Sequence, residues 1–355
     1  MADTTNIFGI ESSCDETSCA VVTDGQRVLS NVVASQIDLH ARFGGIVPEV
    51  ASRAHIEAIN TVIDSALSQS GLGPSDIAAV AVTHEPGLIG SLLVGLMAAK
   101  TLAWAWDVPL IAVNHIYAHA YSPALDAEPI DYPAVALICS GGHTALYRCA
   151  APTELELIGT TLDDAAGEAF DKVAHILNLG YPGGPIIDRI ARDGNPQAVR
   201  FPRSLLPGAS LDFSFSGLKT AVLYHVNGTP GQRRRHRAPQ GSGAGKGAAN
   251  LSRQELADVA ASFQAAVVDV LIAKLRRAVK LTAAKTMVLG GGVAANSALR
   301  RAAQTLAERC RCTLRLPPLP YCVDNAAQTA GLAWHYLQAG RTADLDLEAQ
   351  ATVRR

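Results

Sequence analysis

Two stretches far apart in the chain carry the same short plan, and this repetition constrains the fold more than any other feature. Ile7 to Ile10 reads as a strand, Glu11-Ser12-Ser13-Cys14-Asp15-Glu16-Thr17-Ser18 as a polar turn, and Cys19 to Val22 as the return strand, with a second turn at Asp24-Gly25. Ala134 to Cys139 is again an apolar strand. Ser140-Gly141-Gly142-His143-Thr144 is a small polar turn, and Ala145 to Cys149 returns. The second hairpin repeats the plan of the first, which reads as an internal duplication.

Helical spacing follows each hairpin. Glu49 to Gln69 forms a helix ended by Gly71-Leu72-Gly73-Pro74, Ile77 to Thr83 a buried-type strand, His84 to Ser91 a turn, Leu92 to Trp106 an alanine-rich helix and Leu110 to Val113 a strand. In the second half, Leu256 to Ala278 is a helix and Thr286 to Leu289 a strand. Gly290 to Ser297 opens the next helix, and Ala326 to Leu337 forms the last one. Alternating strands and helices give an α/β fold. At 355 residues the chain is too long for one ordinary core, and Tyr132-Pro133 marks a lobe boundary. The expected organisation is an N-terminal lobe over 1–132, with 326–355 packing back on it, and a C-terminal lobe over 133–325. A flexible basic insertion at 228–250, containing Arg233-Arg234-Arg235-His236-Arg237, interrupts the second lobe. Two lobes that each open with a hairpin suggest the actin, sugar kinase and Hsp70 ATPase architecture, in which the hairpins face a nucleotide's phosphates.

Hydrophobic residues make up 48% and charged residues 17%, as suits a well-buried enzyme, and a net charge of −2 gives no overall polyanion signal. No apolar run reaches the roughly 18 residues of a membrane span. Met1 to Asn6 is polar, without the pattern of an export signal. The seven cysteines include no CxxC pair, so reduced thiols and a cytoplasmic location are expected.

The chemistry concentrates at Asn114-His115-Ile116-Tyr117-Ala118-His119. Histidines at i and i+4 share one helix face and can hold one metal ion. Ile116 stands where a zinc protease of the HExxH type needs its glutamate, so a metal here suits polarisation of a substrate rather than generation of hydroxide. Asp324, read as a helix N-cap, is the natural carboxylate partner. Asp15 and Glu16 sit on the first hairpin tip as metal ligands or a base. Ser140 to Thr144, Tyr181-Pro182-Gly183-Gly184-Pro185 and Gly290-Gly291-Gly292 let backbone approach a ligand closely. In Asp163 to Lys172 the early acids suit a helix N-terminus, whereas Asp171 lies too far in for that role. Lys219 is placed for a phosphate or an RNA backbone.

The segments GIESSCDETSCAVV, GGIVPE, NHIYAHAY, CSGGHTAL, DDAAGEAFDK, GYPGGP, FSFSGLK, GGGVAANSALR and CVDNAAQTA stand in order over nearly the whole chain. This ordered set resembles the TsaD family, also called Kae or Gcp, and the basic insert departs from the compact family pattern. The resemblance implies a tRNA N6-adenosine threonylcarbamoyltransferase. Such an enzyme moves threonylcarbamoyl from threonylcarbamoyl-AMP to N6 of the adenine 3′ of the anticodon, in tRNAs reading codons that begin with A, and releases AMP. It implies His115, His119 and Asp324 as metal ligands, with Fe(2+) ahead of Zn(2+). It implies Ile138, Cys139, Ser140, Gly141, Gly142, Asp171, Gly184, Asp188 and Asn296 as substrate contacts, and Asp15, Glu16 and His143 as active-site residues. By the same resemblance the partners are tRNA, a paralogous TsaB-like subunit and a small TsaE-like ATPase, with no membrane. An ATP-dependent phosphotransferase of the same architecture is the alternative, and a metal-dependent glycoprotease is disfavoured by Ile116.

Overall fold

The computed structural model describes residues 4–204, 208–228, 241 and 243–352. Among these, the strands are β1 (Asn6–Glu11), β2 (Glu16–Thr23), β3 (Arg27–Ser35), β4 (Ala79–Glu85), β5 (Leu110–Asn114), β6 (Ala134–Cys139), β7 (Thr144–Ala151), β8 (Glu154–Thr160), β9 (Thr286–Gly290) and β10 (Thr313–Arg315). The α-helices are α1 (Ile37–Ala41), α2 (Pro48–Ser70), α3 (Ile89–Trp106), α4 (His115–Tyr121), α5 (Ala166–Ile176), α6 (Gly183–Ala191), α7 (Ser216–Asn227), α8 (Arg253–Thr282), α9 (Ser297–Cys310) and α10 (Ala326–Gln338).

The strands form two five-stranded sheets, ordered β3-β2-β1-β4-β5 and β10-β9-β6-β7-β8. Each sheet is built outward from its first strand. β1 pairs antiparallel with β2 and parallel with β4, and β6 pairs parallel with β9. Counted from β1 and from β6, the orders are the same, so the duplicated hairpin is carried through to topology. The chain divides into two compact units. The first comprises Met1–Tyr132, Cys149–Leu155 and Arg315–Arg355; the second comprises Pro133–Arg148 and Glu156–Leu314. The segment 315–325, which the sequence assigned to the second lobe, therefore goes with the first.

In the first unit, α2 buries Ala51, His55, Ile59, Val62, Ile63 and Ala66 at helical spacing. Pro48 starts this helix and Gly71 ends it at φ 71°, where the absence of a Cβ removes the left-handed penalty. Phe8, Ile10, Val21, Ile59 and Leu96 meet in one core cluster. All eight residues of β2 are buried, so both faces of the strand are covered, and α2 and α10 pack on it. That cover explains a boundary difference. Glu16, Thr17 and Ser18 read as turn residues because they are polar, yet they are strand residues inside the fold. Helix α3 begins three residues earlier than its apolar run suggests, at Ile89.

Two helices, Ile89–Trp106 and Arg253–Thr282, are by length and composition apolar enough to cross a membrane, which corrects the expectation that no run is long enough. The most apolar window of Arg253–Thr282 is 67% buried within the fold, as a core helix requires, and its start carries a Ser252–Glu255 capping box. Of the insertion 228–250, residues 229–240 and 242, with Arg233 to Arg237, lie outside the described residues. The following stretch is tied back onto α7: Gly245 and Gly247 N–H groups donate to the His225 and Val226 carbonyls at 2.6 and 2.7 Å.

Candidate metal centre and substrate loops

The first unit brings both histidines to one carboxylate. β5 ends at Asn114, whose side-chain oxygen accepts the N–H groups of Ile116 at 2.9 Å and Tyr117 at 3.2 Å. That cap starts α4 at His115 and places His119 one turn later, with the rings edge to face and centroids 4.5 Å apart. Asp324 is not the N-cap of α10, as the sequence suggested. Asn325 is, accepting the Gln328 N–H at 3.2 Å. Relieved of capping, Asp324 turns Oδ1 to His119 Nε2 at 3.0 Å and to His115 Nε2 at 3.7 Å. Ligands about 2.1 Å from one tetrahedral ion stand roughly 3.4 Å apart, so these separations fit a shared metal. Both imidazoles are buried, and the three ligand atoms lie within 4.8 Å of one another. The residues present can hold a metal ion.

Glu11, at the end of β1, is the residue that sequence reasoning missed. It is fully buried and accepts the Ser13 N–H and the Thr83 hydroxyl, each at 2.6 Å, and its Oε2 lies 3.3 Å from His115 Nδ1. Thr83 in turn meets Thr329 of α10 at 3.0 Å, tying β1, β4, α4 and α10 into one polar network. Burial works against a charged imidazole, but Asp324 and Glu11 outweigh it and raise His115 to about 9. Burial likewise works to raise Glu11, and the charge of His115 together with the hydrogen bonds from His115 and Ser13 offsets it, leaving that carboxyl below its ordinary range. Asp15 and Glu16 form a second acidic group with Asp324, again within 4.8 Å. Burial first, then the Asp15 and Asp324 charges, pushes Glu16 well above the usual carboxylate range.

The second unit carries the remaining candidates at the ends of β6 and β9, along α5 and α6, and at the cap of α9. Ile138 and Cys139 are buried strand residues, with Ile138 in register with Gly290. The turn after them is closed by Ser140 N–H donating to the His143 carbonyl at 2.8 Å and His143 N–H to Ser140 Oγ at 3.2 Å. A Cβ on Gly167 would lie 2.5 Å from the Ser140 carbonyl oxygen, and one on Gly291 2.4 Å from that of Cys139. Both glycines permit contacts that any side chain would block. Asp171 accepts the Gly183 N–H at 2.7 Å and anchors the GYPGGP loop to α5. Asp188 accepts from Ser297 Oγ at 2.8 Å. The Asn296 oxygen caps α9 while its amide donates to Gln264 at 2.7 Å. That helix thus opens at Ser297, after a short 3-10 turn, rather than at the glycines. A Cβ on Gly141, Gly142 or Gly184 would enter open space.

Two expectations change here. Asp163 does not support α5. It accepts from Ser214 Oγ, Phe215 N–H, Ser216 N–H and Ser216 Oγ, and so holds the start of α7. Lys219 is paired with Asp164 at 3.2 Å.

A profile of the tRNA N6-adenosine threonylcarbamoyltransferase family, TsaD, matches residues 27–331. A protein of that name from Anaeromyxobacter dehalogenans is 48% identical over 351 residues, covering 99% of both chains. Another, from Symbiobacterium thermophilum, is 50% identical over 343 residues, covering 97% of this chain and 95% of its own. Among solved structures, full-length HypF in its phosphate- and nucleotide-bound form aligns with 96% of this chain and 47% of its own at TM-score 0.60 and 14% identity. The (R)-2-hydroxyglutaryl-CoA dehydratase component A of Acidaminococcus fermentans covers 96% of this chain and 100% of its own at TM-score 0.50 and 16% identity. These two likenesses concern the fold alone, a two-lobe actin, sugar kinase and Hsp70 ATPase type. With half-identical relatives matched almost end to end, the chain belongs to the tRNA N6-adenosine threonylcarbamoyltransferase family.

Proposed function

We propose that the chain transfers a threonylcarbamoyl group from threonylcarbamoyl-AMP to N6 of the adenine 3′ of the anticodon in tRNA. The observation that carries this reading is the full-length likeness to relatives named for that transfer, in a chain that keeps His115, His119 and Asp324 together. The N6 lone pair attacks the carbamoyl carbon, the bond from that carbon to the phosphate oxygen breaks, and AMP leaves with the electron pair. The donor is already an activated mixed anhydride, so the protein's work is orientation, polarisation and acceptance of the N6 proton. A divalent metal, Fe(2+) ahead of Zn(2+), held by His115, His119 and Asp324 would supply Lewis-acid polarisation of a substrate oxygen.

The remaining roles fall to the chain's own groups. Asp15, buried beside Asp324, takes the proton released from N6, and Glu16 supports it. The open backbone at Gly141, Gly142 and Gly184 offers N–H groups to the adenylate phosphate. Asp171 and Asp188 accept from hydroxyls of the donor, since a carboxylate oxygen takes more than one hydrogen bond, and Asn296, whose oxygen already accepts two N–H groups of α9, turns its second amide N–H to an oxygen of the donor. His143, beside the Ser140 to Gly142 turn, lies near the transferred group.

A TsaB-like subunit and a TsaE-like ATPase complete the system. The TsaB-like partner docks on α3, where Ile89, Leu93 and Met97 form an exposed apolar row at i, i+4 and i+8, with Ile56 of the adjacent α2 also exposed. Leu93→Asp should prevent co-elution with that partner and leave the isolated chain folded.

The deciding experiment supplies labelled threonylcarbamoyl-AMP, unmodified tRNA and the partners, with and without a chelator. Label in the tRNA nucleoside that disappears on chelation, with His115→Ala and with Asp15→Asn is the expected result. Wild-type transfer by Asp15→Asn would remove the base role. No label, alongside ATP hydrolysis or sugar phosphorylation, would replace the reading with a phosphotransferase.

A further inference from the structure

His115 and His119 present their rings to Asp324 in the same way, through Nε2, but their other nitrogens differ. His115 Nδ1 faces Glu11 at 3.3 Å and Ser13 Oγ at 3.2 Å. His119 Nδ1 is buried with no hydrogen-bond partner among the described residues. A ligand histidine ordinarily donates its second N–H to an outer acceptor, which fixes the tautomer and the ring plane. Among the described residues of the first unit, the buried side chains with a matching deficit include Gln328. Gln328 is 0% exposed, and among the described residues neither its Oε1 nor its Nε2 has a partner. Unpaired amide ends at such depth are uncommon and call for a cause.

The two residues lie on helices that pack together, α4 and α10. Gln328 is in the first turn of α10, its N–H capped by Asn325, directly after the Asp324 that binds His119. Gln328, Gly331 and His335 stand at i, i+3 and i+7 and so share one face. That face is turned to α4: His335 Nε2 is 3.0 Å from the Tyr121 hydroxyl, and a Cβ on Gly331 would lie 3.0 Å from the Tyr121 ring. A glutamine reorients about three side-chain bonds without moving the backbone.

We propose that Gln328 is the outer partner of His119, its Oε1 accepting the Nδ1–H when Nε2 holds the metal. Gln328 is a positioning residue, doing for His119 what Glu11 does for His115. The inference rests on the metal reading of His115, His119 and Asp324.

The test uses the full chain and Zn(2+) alone, titrated against a chromogenic chelator, for the parent, Gln328→Leu and Gln328→Glu. The expected result is a roughly 10–100-fold loss of Zn(2+) affinity in Gln328→Leu, with recovery in Gln328→Glu, which restores an acceptor. The metal-free melting temperature of Gln328→Leu should be unchanged or higher, because leucine removes an unpaired buried amide. In 15N imidazole spectra of the Zn(2+)-loaded parent, the slowly exchanging His119 Nδ1–H should be present, and Gln328→Leu should lose it. Parent-like affinity in Gln328→Leu would overturn this inference alone. A melting temperature that falls in step with affinity in both variants would make Gln328 purely structural and also overturn it. A parent that binds no Zn(2+) would remove the metal reading and this inference together.

Discussion

Glu11→Gln is the sharpest probe of the network behind the proposed metal centre. The substitution keeps the shape and removes the charge. In the parent, one carboxylate oxygen accepts the Ser13 N–H at 2.6 Å, and the other accepts the Thr83 hydroxyl at 2.6 Å and faces His115 Nδ1 at 3.3 Å. A glutamine can satisfy Ser13 only by turning its oxygen that way, so its NH2 then points at Thr83 and His115. The Thr83 hydroxyl can rotate to accept, since Thr329 offers it another partner at 3.0 Å. His115 must accept at Nδ1, which places the ring proton on Nε2, the nitrogen turned to Asp324. The variant thus stabilises the tautomer that cannot bind a metal. Outer-partner changes of this kind lower metal affinity about 10–100-fold. Exchanging charge-assisted hydrogen bonds for neutral ones at a fully buried site costs about 2 kcal/mol, or roughly 4–8 °C in melting temperature. Chelator-competition titration and thermal melting of the metal-free protein read the two effects separately. A variant that binds Zn(2+) within threefold of the parent and melts at the parent temperature would refute the claim that Glu11 orients His115.

Three further outcomes follow from the same geometry. Metal removal by a chelator should lower the melting temperature, because saturation at about a hundred times the dissociation constant contributes about 2.7 kcal/mol, and re-addition should restore it in calorimetry. Asp163→Asn should weaken the start of α7 by about 1 kcal/mol; because four donors hold the parent carboxyl below its ordinary range despite the opposing effect of burial, that stability is present above the unfolded value and lost as pH falls through the lowered one, so acid melting curves should be flatter in the variant. Gly291→Ala should fold poorly or melt several degrees lower in a thermal scan, since its Cβ would stand 2.4 Å from the Cys139 carbonyl oxygen at φ +84°.

Much of the fold was legible because its signals are local. The two strand–turn–strand runs, the apolar periodicity of α2 and the glycine that ends it depend on residues within a few positions of one another. The misread boundaries depend on distant cover. Glu16 to Ser18 look like a turn until α2 and α10 are placed on β2. Asp163 looks like a cap for the next helix until the loop ahead of α7 brings Ser214 and Ser216 to it. Glu11 has no local mark at all, being one acid at the end of an apolar run. Only the arrival of Thr83 and His115, each more than sixty positions away, gives it a role.

The proposed metal ligands show how neighbours divide labour in a way that residue type alone does not reveal. Asp and Asn are both good N-caps, so the pair Asp324-Asn325 offers two candidates for one capping position. Asn325 takes it, and Asp324 is left outside the helix with its carboxylate directed to the histidines. At the other segment Asn114 caps α4, and the first residue it releases into the helix is His115. A neutral amide does the capping in both places, so the helix start is satisfied without drawing a charge or an imidazole away from the proposed metal site. Exchanging Asp324 and Asn325 tests that division. The double variant keeps both residue types and the capping potential, so its helix content should be close to the parent's in circular dichroism. Its metal affinity should fall as far as that of Asp324→Asn, because the carboxylate would be held by the backbone of α10. Parent-like metal binding by the exchanged variant would mean that the order of these two residues, and with it the capping argument, does not determine which group reaches the histidines.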